Sequence, residues 1–194
     1  MGTVGEVIPI RARMHVVETD TVTLEPQTAA HAQEMFAVLG DPALYEHENE
    51  PPPSLDWLRE RFARLESRMS ADGREHWLNW VVRLPASGLI GYVQATVHPD
   101  GRAAIAYVLS SAYWGRGLAR HAVEAMIAEL VENCGVRSLS AVLKRGNHRS
   151  LRLLERLGFT LASPGQHVER QVAPDELLMQ RELGARDRSG RGHA

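Results

Sequence analysis

The sequence predicts an α/β protein with one mixed, mostly antiparallel sheet and flanking helices. Two observations carry this. Three runs of strand character, Trp77 to Leu84, Leu89 to His98 and Ala103 to Leu109, follow one another across Pro85-Ala86-Ser87-Gly88 and Pro99-Asp100-Gly101. Connections that short join antiparallel neighbours. A strand–loop–helix–strand unit comes next, in which a helix ending at Cys134 separates Leu109 from Arg137. Such a crossover makes its two strands parallel.

Each remaining element has its own signal. Thr21-Val22-Thr23-Leu24-Glu25 alternates and is β-branched, which predicts a first strand ending at Pro26. Thr28 can cap a helix whose Ala32, Met35, Phe36 and Leu39 recur at helical spacing before Gly40. Asp41 to Pro53 is too rich in proline for a packed element, yet it carries Glu46, His47, Glu48 and Glu50. Ser54 caps a second helix with Leu58, Phe62, Leu65 and Met69 on one face, and Ala71-Asp72-Gly73 turns the chain into the three-strand meander. After the crossover helix, from Arg120 to Cys134, come a strand from Arg137 to Leu143, a short helix from Asn147 to Leu157 and a strand from Phe159 to Ala162. A turn region around Pro164-Gly165 leads to a last strand, Asp175 to Leu183. One domain over residues 16–183 is expected, with residues 1–15 as an arm and the polar, basic stretch 184–194 as a disordered tail.

Bulk properties remove several function classes. A chain of 194 residues with 44% hydrophobic and 24% charged residues has the composition of an ordinary globular protein. Its formal charge of −2 gives no electrostatic support to a nucleic-acid or membrane-surface role. The single cysteine, Cys134, excludes an internal disulfide and fits a reducing compartment; at the end of an apolar stripe it is read as buried packing. No apolar run reaches the roughly 18–20 residues of a membrane span, and residues 1–14 lack the apolar stretch of a signal peptide. A cytoplasmic protein, monomeric or homodimeric and without a metal, is expected.

The chemistry gathers at Tyr113-Trp114-Gly115-Arg116-Gly117-Leu118-Ala119, between a strand and a helix. Gly115 and Gly117 remove side chains where backbone N–H groups, unpaired at any helix start, can approach an anion; Arg116 and Arg120 add positive charge. A mononucleotide P-loop needs Gly-Lys-Ser/Thr, and Leu118-Ala119-Arg120 follows Gly117 instead. A dinucleotide fingerprint opens a series of βαβ units, whereas a meander precedes this loop. A purely structural glycine turn competes with an anion site as long as the loop stands alone.

The second segment is Asn147-His148-Arg149-Ser150-Leu151-Arg152-Leu153-Leu154-Glu155-Arg156-Leu157-Gly158-Phe159. Together the two resemble the GCN5-related N-acetyltransferase (GNAT) superfamily. The glycine loop looks like its acetyl-CoA motif, Q/R-x-x-G-x-G/A, and the second segment like its Asn-led helix ending in Gly-Phe. Ser150 and the run Leu153 to Phe159 are similar to the ribosomal-protein alanine acetyltransferase branch, the RimJ/RimL type. The resemblance covers about Trp77 to Ala162, and it implies a GNAT fold with a splayed parallel strand pair.

What the resemblance implies for the site is specific. Pantetheine of acetyl-CoA would enter between the strands Ala104–Leu109 and Arg137–Leu143 and pair with backbone groups of Val108 and Leu109. The pyrophosphate would accept N–H bonds from Gly115, Arg116, Gly117, Leu118 and Ala119, with Arg120 beside them. Trp114 stands where the motif has Gln or Arg, which backbone donors tolerate. Asn147 would cap its helix, contact the cofactor near the thiol, or both. The tyrosine that serves many members as general acid is Leu154 here, leaving Ser150, or a water it holds, against a plain helix-facing hydroxyl. The strand glutamate of the alanine branch is Ala104 here. Replacement bases would come from Glu46, His47, Glu48 or Glu50, with Glu48 and Glu50 favoured, unless this is simply a solvated acidic loop. Arg149 and Arg152 either meet a ribose phosphate or form a solvated face, and His98 beside its turn is read as structural. The implied activity moves acetyl from acetyl-CoA to a primary amine, a protein N-terminus or a small molecule, by direct transfer. A non-catalytic acyl-CoA-binding module is the alternative.

Overall fold

Eight strands lie in one sheet: β1 (Val17–Glu18), β2 (Thr23–Pro26), β3 (His76–Leu84), β4 (Gly88–Val97), β5 (Arg102–Leu109), β6 (Ser138–Lys144), β7 (Thr160–Leu161) and β8 (Glu176–Glu182). Their spatial order is β1-β2-β3-β4-β5-β6-β8-β7, with β5–β6 the parallel pair and the other pairs antiparallel. The computed structural model describes residues 14–47 and 50–184. Most of the expected arm, all of the expected tail beyond Gly184, and Glu48 with Asn49 lie outside them.

Helices cover both faces. The helix α3 (Leu118–Cys134) buries Ala122, Val123, Met126, Ile127, Leu130 and Val131 against β2, β4 and β5. This spacing of three and four residues turns one broad stripe toward the sheet. It ends at Gly135, whose φ of 63° closes the helix with an N–H bond to the Leu130 carbonyl. The main core lies here, and α4 (His148–Arg156) joins it through Leu154. On the opposite face, α1 (Ala32–Val38) and α2 (Leu55–Leu65) bring Met35, Leu58 and Phe62 onto Val81 and Leu89.

Four details differ from the sequence expectation. Arg68 adopts φ 58°, so α2 stops at Leu65 and Met69 leaves the apolar helix face to bridge His76. Pro164–Glu169 forms a short helix, α5, in place of a turn. It starts at Ser163, whose hydroxyl accepts from the Gln166 N–H while the Gln166 side chain accepts from the Ser163 N–H. The final strand β8 enters the sheet between β6 and β7, and β7 is only two residues long. The proline-rich loop contains a 3₁₀ turn, Pro42–Tyr45, capped by Asp41.

Candidate active site

The gap between β5 and β6 defines the site. These strands pair at Arg102–Ser138, Ala103–Leu139 and Ala104–Ser140, and there the ladder stops. The remaining lengths of β5, to Leu109, and of β6, to Lys144, diverge. Bonds from Ser110 N–H to the Ile90 carbonyl and from His98 N–H to the Arg102 carbonyl set the alternation on β5. The even-numbered residues, Val108 among them, turn their backbone groups to β4, while residues 105, 107 and 109 turn theirs to the gap. Leu109 therefore faces the gap, and Val108 is opposite Tyr92. The Leu109 carbonyl accepts the Trp114 indole N–H at 2.7 Å.

A bulge in β4 shapes this end of β5. The β3–β4 register shifts between Val82 and Arg83, leaving Ile90 as the extra residue. Gly91 follows, and a Cβ there would meet the Val108 carbonyl oxygen and approach Leu109 Cα to 2.8 Å. Only glycine lets the two strands come so close.

The glycine loop meets the gap at the start of α3. Gly115 and Gly117 have φ 73° and 76°, and a Cβ at either would find nothing within 4 Å. The first intrahelical bond runs from His121 N–H to the Gly117 carbonyl. Among the described residues, no acceptor meets the N–H groups from Gly115 to Arg120. A consecutive set of unpaired donors opening on empty space at a helix start fits a diphosphate. Arg116 lies over the Tyr113 ring at 5.5 Å, and Arg120 is paired with Glu124 at 2.8 Å. Both are exposed cations beside the donor set.

The β6–α4 corner forms the other wall. Asn147 caps α4, its Oδ1 accepting the Ser150 N–H at 3.1 Å. Ser150 is half-buried in the first turn, and the Tyr107 hydroxyl reaches its carbonyl at 3.4 Å. Leu154 is 1% exposed in the main core and presents nothing to the gap. Arg149 stacks on Trp114 at 4.2 Å and approaches Glu46 at 3.9 Å, tying the glycine loop, α4 and the α1–α2 loop together. Arg152 is exposed.

The α1–α2 loop borders this same corner. The His47 ring lies 3.6 Å from where a Cβ on Gly146 would stand, and Glu46 is beside it. Asp41 anchors the loop: Oδ2 accepts the Ser111 N–H at 2.8 Å and Oδ1 that of Ala43 at 3.0 Å. The Ser111 bonds, followed by the one from Ala43, hold its carboxyl below the usual aspartate range. Glu50 is exposed, and Glu48 lies outside the described residues.

On the sheet face away from α3, Ala104, Ala106 and half-exposed Val142 leave an open floor next to the gap. At its edge, His98 Nδ1 lies 3.6 Å from Glu75, which also accepts the Trp77 indole N–H at 3.2 Å. Cys134 is buried at the far end of α3, where burial and then Glu129 push its thiol up to about 11; it takes no part in the site.

Sequence reasoning brought the glycine loop, Asn147 and Ser150 to one gap. It missed Tyr107 and Asp41, whose partners are 43 and 70 residues away in sequence. An aromatic in an otherwise aliphatic strand, Ala104-Ile105-Ala106-Tyr107-Val108-Leu109, was the only signal for the first.

The comparisons with known proteins agree with this geometry. Residues 21–160 match the family described as "Acetyltransferase (GNAT) domain". The chain is similar to the structure of RimL, a ribosomal L7/L12 alpha-N-protein acetyltransferase in complex with coenzyme A. Identity is 15% and the TM-score 0.73, over 90% of this chain and 100% of that one. A putative GNAT-family acetyltransferase from Bordetella pertussis is 27% identical, with a TM-score of 0.66 over 87% of this chain and 99% of that one. A ribosomal-protein-S5-alanine acetyltransferase from Vibrio fischeri is 17% identical, with a TM-score of 0.72 over 89% and 98%. At 15% and 17% identity the likeness speaks for the fold alone, but the family match runs from β2 to β7 and takes in both walls of the gap. The chain belongs to the GNAT acetyltransferase family.

Proposed function

We propose that the protein is an acetyl-CoA-dependent N-acetyltransferase acting on a primary amine, either a peptide N-terminus or a small molecule. One observation carries this most: the unpaired N–H groups from Gly115 to Arg120 open beside a parallel strand pair that separates after Ala104 and Ser140. The N–H groups of Gly115, Arg116, Gly117, Leu118 and Ala119 bind the pyrophosphate, with Arg120 adding charge. Each charge-assisted bond is worth roughly 1.5–3 kcal/mol. The open backbone edge of β5 around Leu109 takes the pantetheine, with the Val108 side chain on the α1–α2 side of the sheet. Asn147 fixes the first turn of α4 against that arm.

Acetyl-CoA supplies the activated acetyl thioester. The chain holds the amine on the floor at Ala104 and Ala106, lets it attack as the neutral form, and stabilises the departing thiolate through Ser150. An α-amine titrates near pH 8, so it needs far less help from a base than a lysine near 10.4. Glu48 and Glu50, in the sequence between α1 and α2, supply carboxylates for that proton and favour cationic acceptors.

The test is thiol release from acetyl-CoA with a panel of peptides starting with Ala or Ser, a polyamine and a lysine side-chain analogue. Release with at least one amine, and no release without it, is expected. Ala104 and Leu154 stand where acid–base side chains occur in relatives of this type, which favours an acyl-CoA-binding module as the second reading. Acetyl-CoA binding without thiol release for any amine would support that module and defeat the enzyme.

A further inference from the structure

One row of side chains crosses the open sheet face where the β5–β6 ladder stops. Thr96 is paired with Ala104, Ala104 with Ser140 and Ser140 with Gln180, so all four lie on the same face, away from α3. Ser140 is the last partner of β5, and Gln180 stands directly opposite it, with Cβ atoms at such a pair about 5 Å apart. The row holds no charge; Ala104 is exposed and the other three are half-buried. Val142, two residues beyond Ser140 on the same face, is 50% exposed, so the floor stays open as far as β8.

The short helix α5 stands at the far end of this row and is tied to β8 at two points. His167 Nε2 accepts the Leu178 N–H at 3.0 Å, and Gln166 Nε2 donates to Gln180 Oε1 at 2.8 Å. The second bond sets which way the Gln180 amide faces. A backbone N–H can only donate, so that of Ser163, at 2.9 Å, meets the Gln166 oxygen. Gln166 therefore offers its NH2 to Gln180, and only the Gln180 oxygen can accept from it. The Gln180 NH2 is turned away from Gln166, and among the described residues nothing accepts from it.

We propose that Gln180 is a specificity-determining residue for the acceptor: its NH2 donates to a carbonyl oxygen carried on the carbon next to the reacting amine. The inference rests on the N-acetyltransferase function proposed above, in which the amine lies over Ala104 and Ala106. From there the substituent on the amine's α-carbon extends along the row, past Ser140 toward Gln180. A neutral donor with a fixed orientation suits a neutral acceptor, the carbonyl of an α-amino amide. No cation in the row balances the carboxylate of a free amino acid, and no carboxylate in it holds the second charge of a polyamine. The favoured substrates are amines with an amide carbonyl on the α-carbon.

The experiment measures thiol release from acetyl-CoA with alaninamide and with sec-butylamine, which has the same branched α-carbon and no carbonyl. Each variant is compared with wild type on the same amine, so the different basicities of the two cancel. Gln180→Leu removes the donor. Gln166→Glu leaves Gln180 in place and turns its amide around. One carboxylate oxygen keeps the Ser163 N–H, as glutamate does at this position of a capping box, and the other accepts from the Gln180 NH2, so the Gln180 oxygen faces the floor. Both variants should lose kcat/KM for alaninamide on the order of 10-fold, with sec-butylamine and the KM for acetyl-CoA unchanged. A purely structural Gln180 would cost both amines alike and leave Gln166→Glu, whose helix stays capped, at the wild-type rate. Equal losses for the two amines, an unchanged alaninamide rate in either variant, or wild-type turnover of other amines without alaninamide would overturn the assignment and leave the enzyme's function standing. No thiol release by the wild-type protein with any amine would overturn both.

Discussion

Replacing Gly117 with valine separates the two roles that a glycine at a helix start can have. In the free protein the added Cβ meets nothing within 4 Å, so the variant loses no packing. What it costs is conformational: φ is 76°, and holding an L-residue in the left-handed region costs roughly 1–2 kcal/mol. For a chain of this size that is a fall in Tm of about 2–8 °C. The branched side chain fills the space onto which the loop N–H groups open. Losing one charge-assisted bond to an anion there costs roughly 1.5–3 kcal/mol, or about 10-fold to 100-fold in affinity. Gly73, at φ 71° with only the Met69 sulfur 3.7 Å from its Cβ position, is the control for strain alone. Calorimetry with acetyl-CoA should show weakened binding for Gly117→Val and unchanged binding for Gly73→Val, at comparable losses of Tm. A folded Gly117→Val with wild-type affinity would refute the assignment of this loop to the pyrophosphate.

Two other substitutions test how the walls are held. Gly91→Ala places a methyl group against backbone atoms of Val108 and Leu109 that no side-chain rotation can clear. It should destabilise by about 1–3 kcal/mol in urea unfolding, and a change under about 0.5 kcal/mol would mean that β4 and β5 are not so tightly apposed. Asp41→Ala removes the acceptor for Ser111 and Ala43 and should cost about 1 kcal/mol at pH 7, since the site is partly exposed. The folded-state carboxyl is depressed below 3.8, so its stabilisation is complete above that value and is lost as pH falls through the lower, folded one. The gap in stability between wild type and Asp41→Ala should therefore close in acid; a gap that stayed constant down to pH 2 would show that the carboxylate charge is irrelevant.

The parts legible in the sequence were those specified locally. Gly115 and Gly117 ahead of a strongly periodic helix, and Asn147 three residues before Ser150, announce themselves within one window. The meander was readable because its turns are short. Met69 misled because it continues the helical spacing of Leu58, Phe62 and Leu65, while the break at Arg68 is a backbone conformation with no glycine to mark it. The short helix at Pro164 had a start signal, Ser163-Pro164 with Gln166 behind it, but six residues give no periodicity to detect. Nothing local could place β8 between β6 and β7, because that order depends on long-range pairing of Ser138–Lys144 with Glu176–Glu182. Gly91, Asp41 and Tyr107 matter through partners on other strands and helices, and their demands appear only once the sheet is assembled.

The proposed placement has the loop from Gly115 to Ala119 and the gap between β5 and β6 together holding the acetyl donor. A crystal structure of the protein with coenzyme A tests it most directly. Pyrophosphate oxygens are expected within hydrogen-bond distance of the N–H groups of Gly115 to Ala119, with pantetheine along the open edge of β5 and a thiol near Ser150. Coenzyme A bound elsewhere, with those N–H groups facing only water, would contradict it.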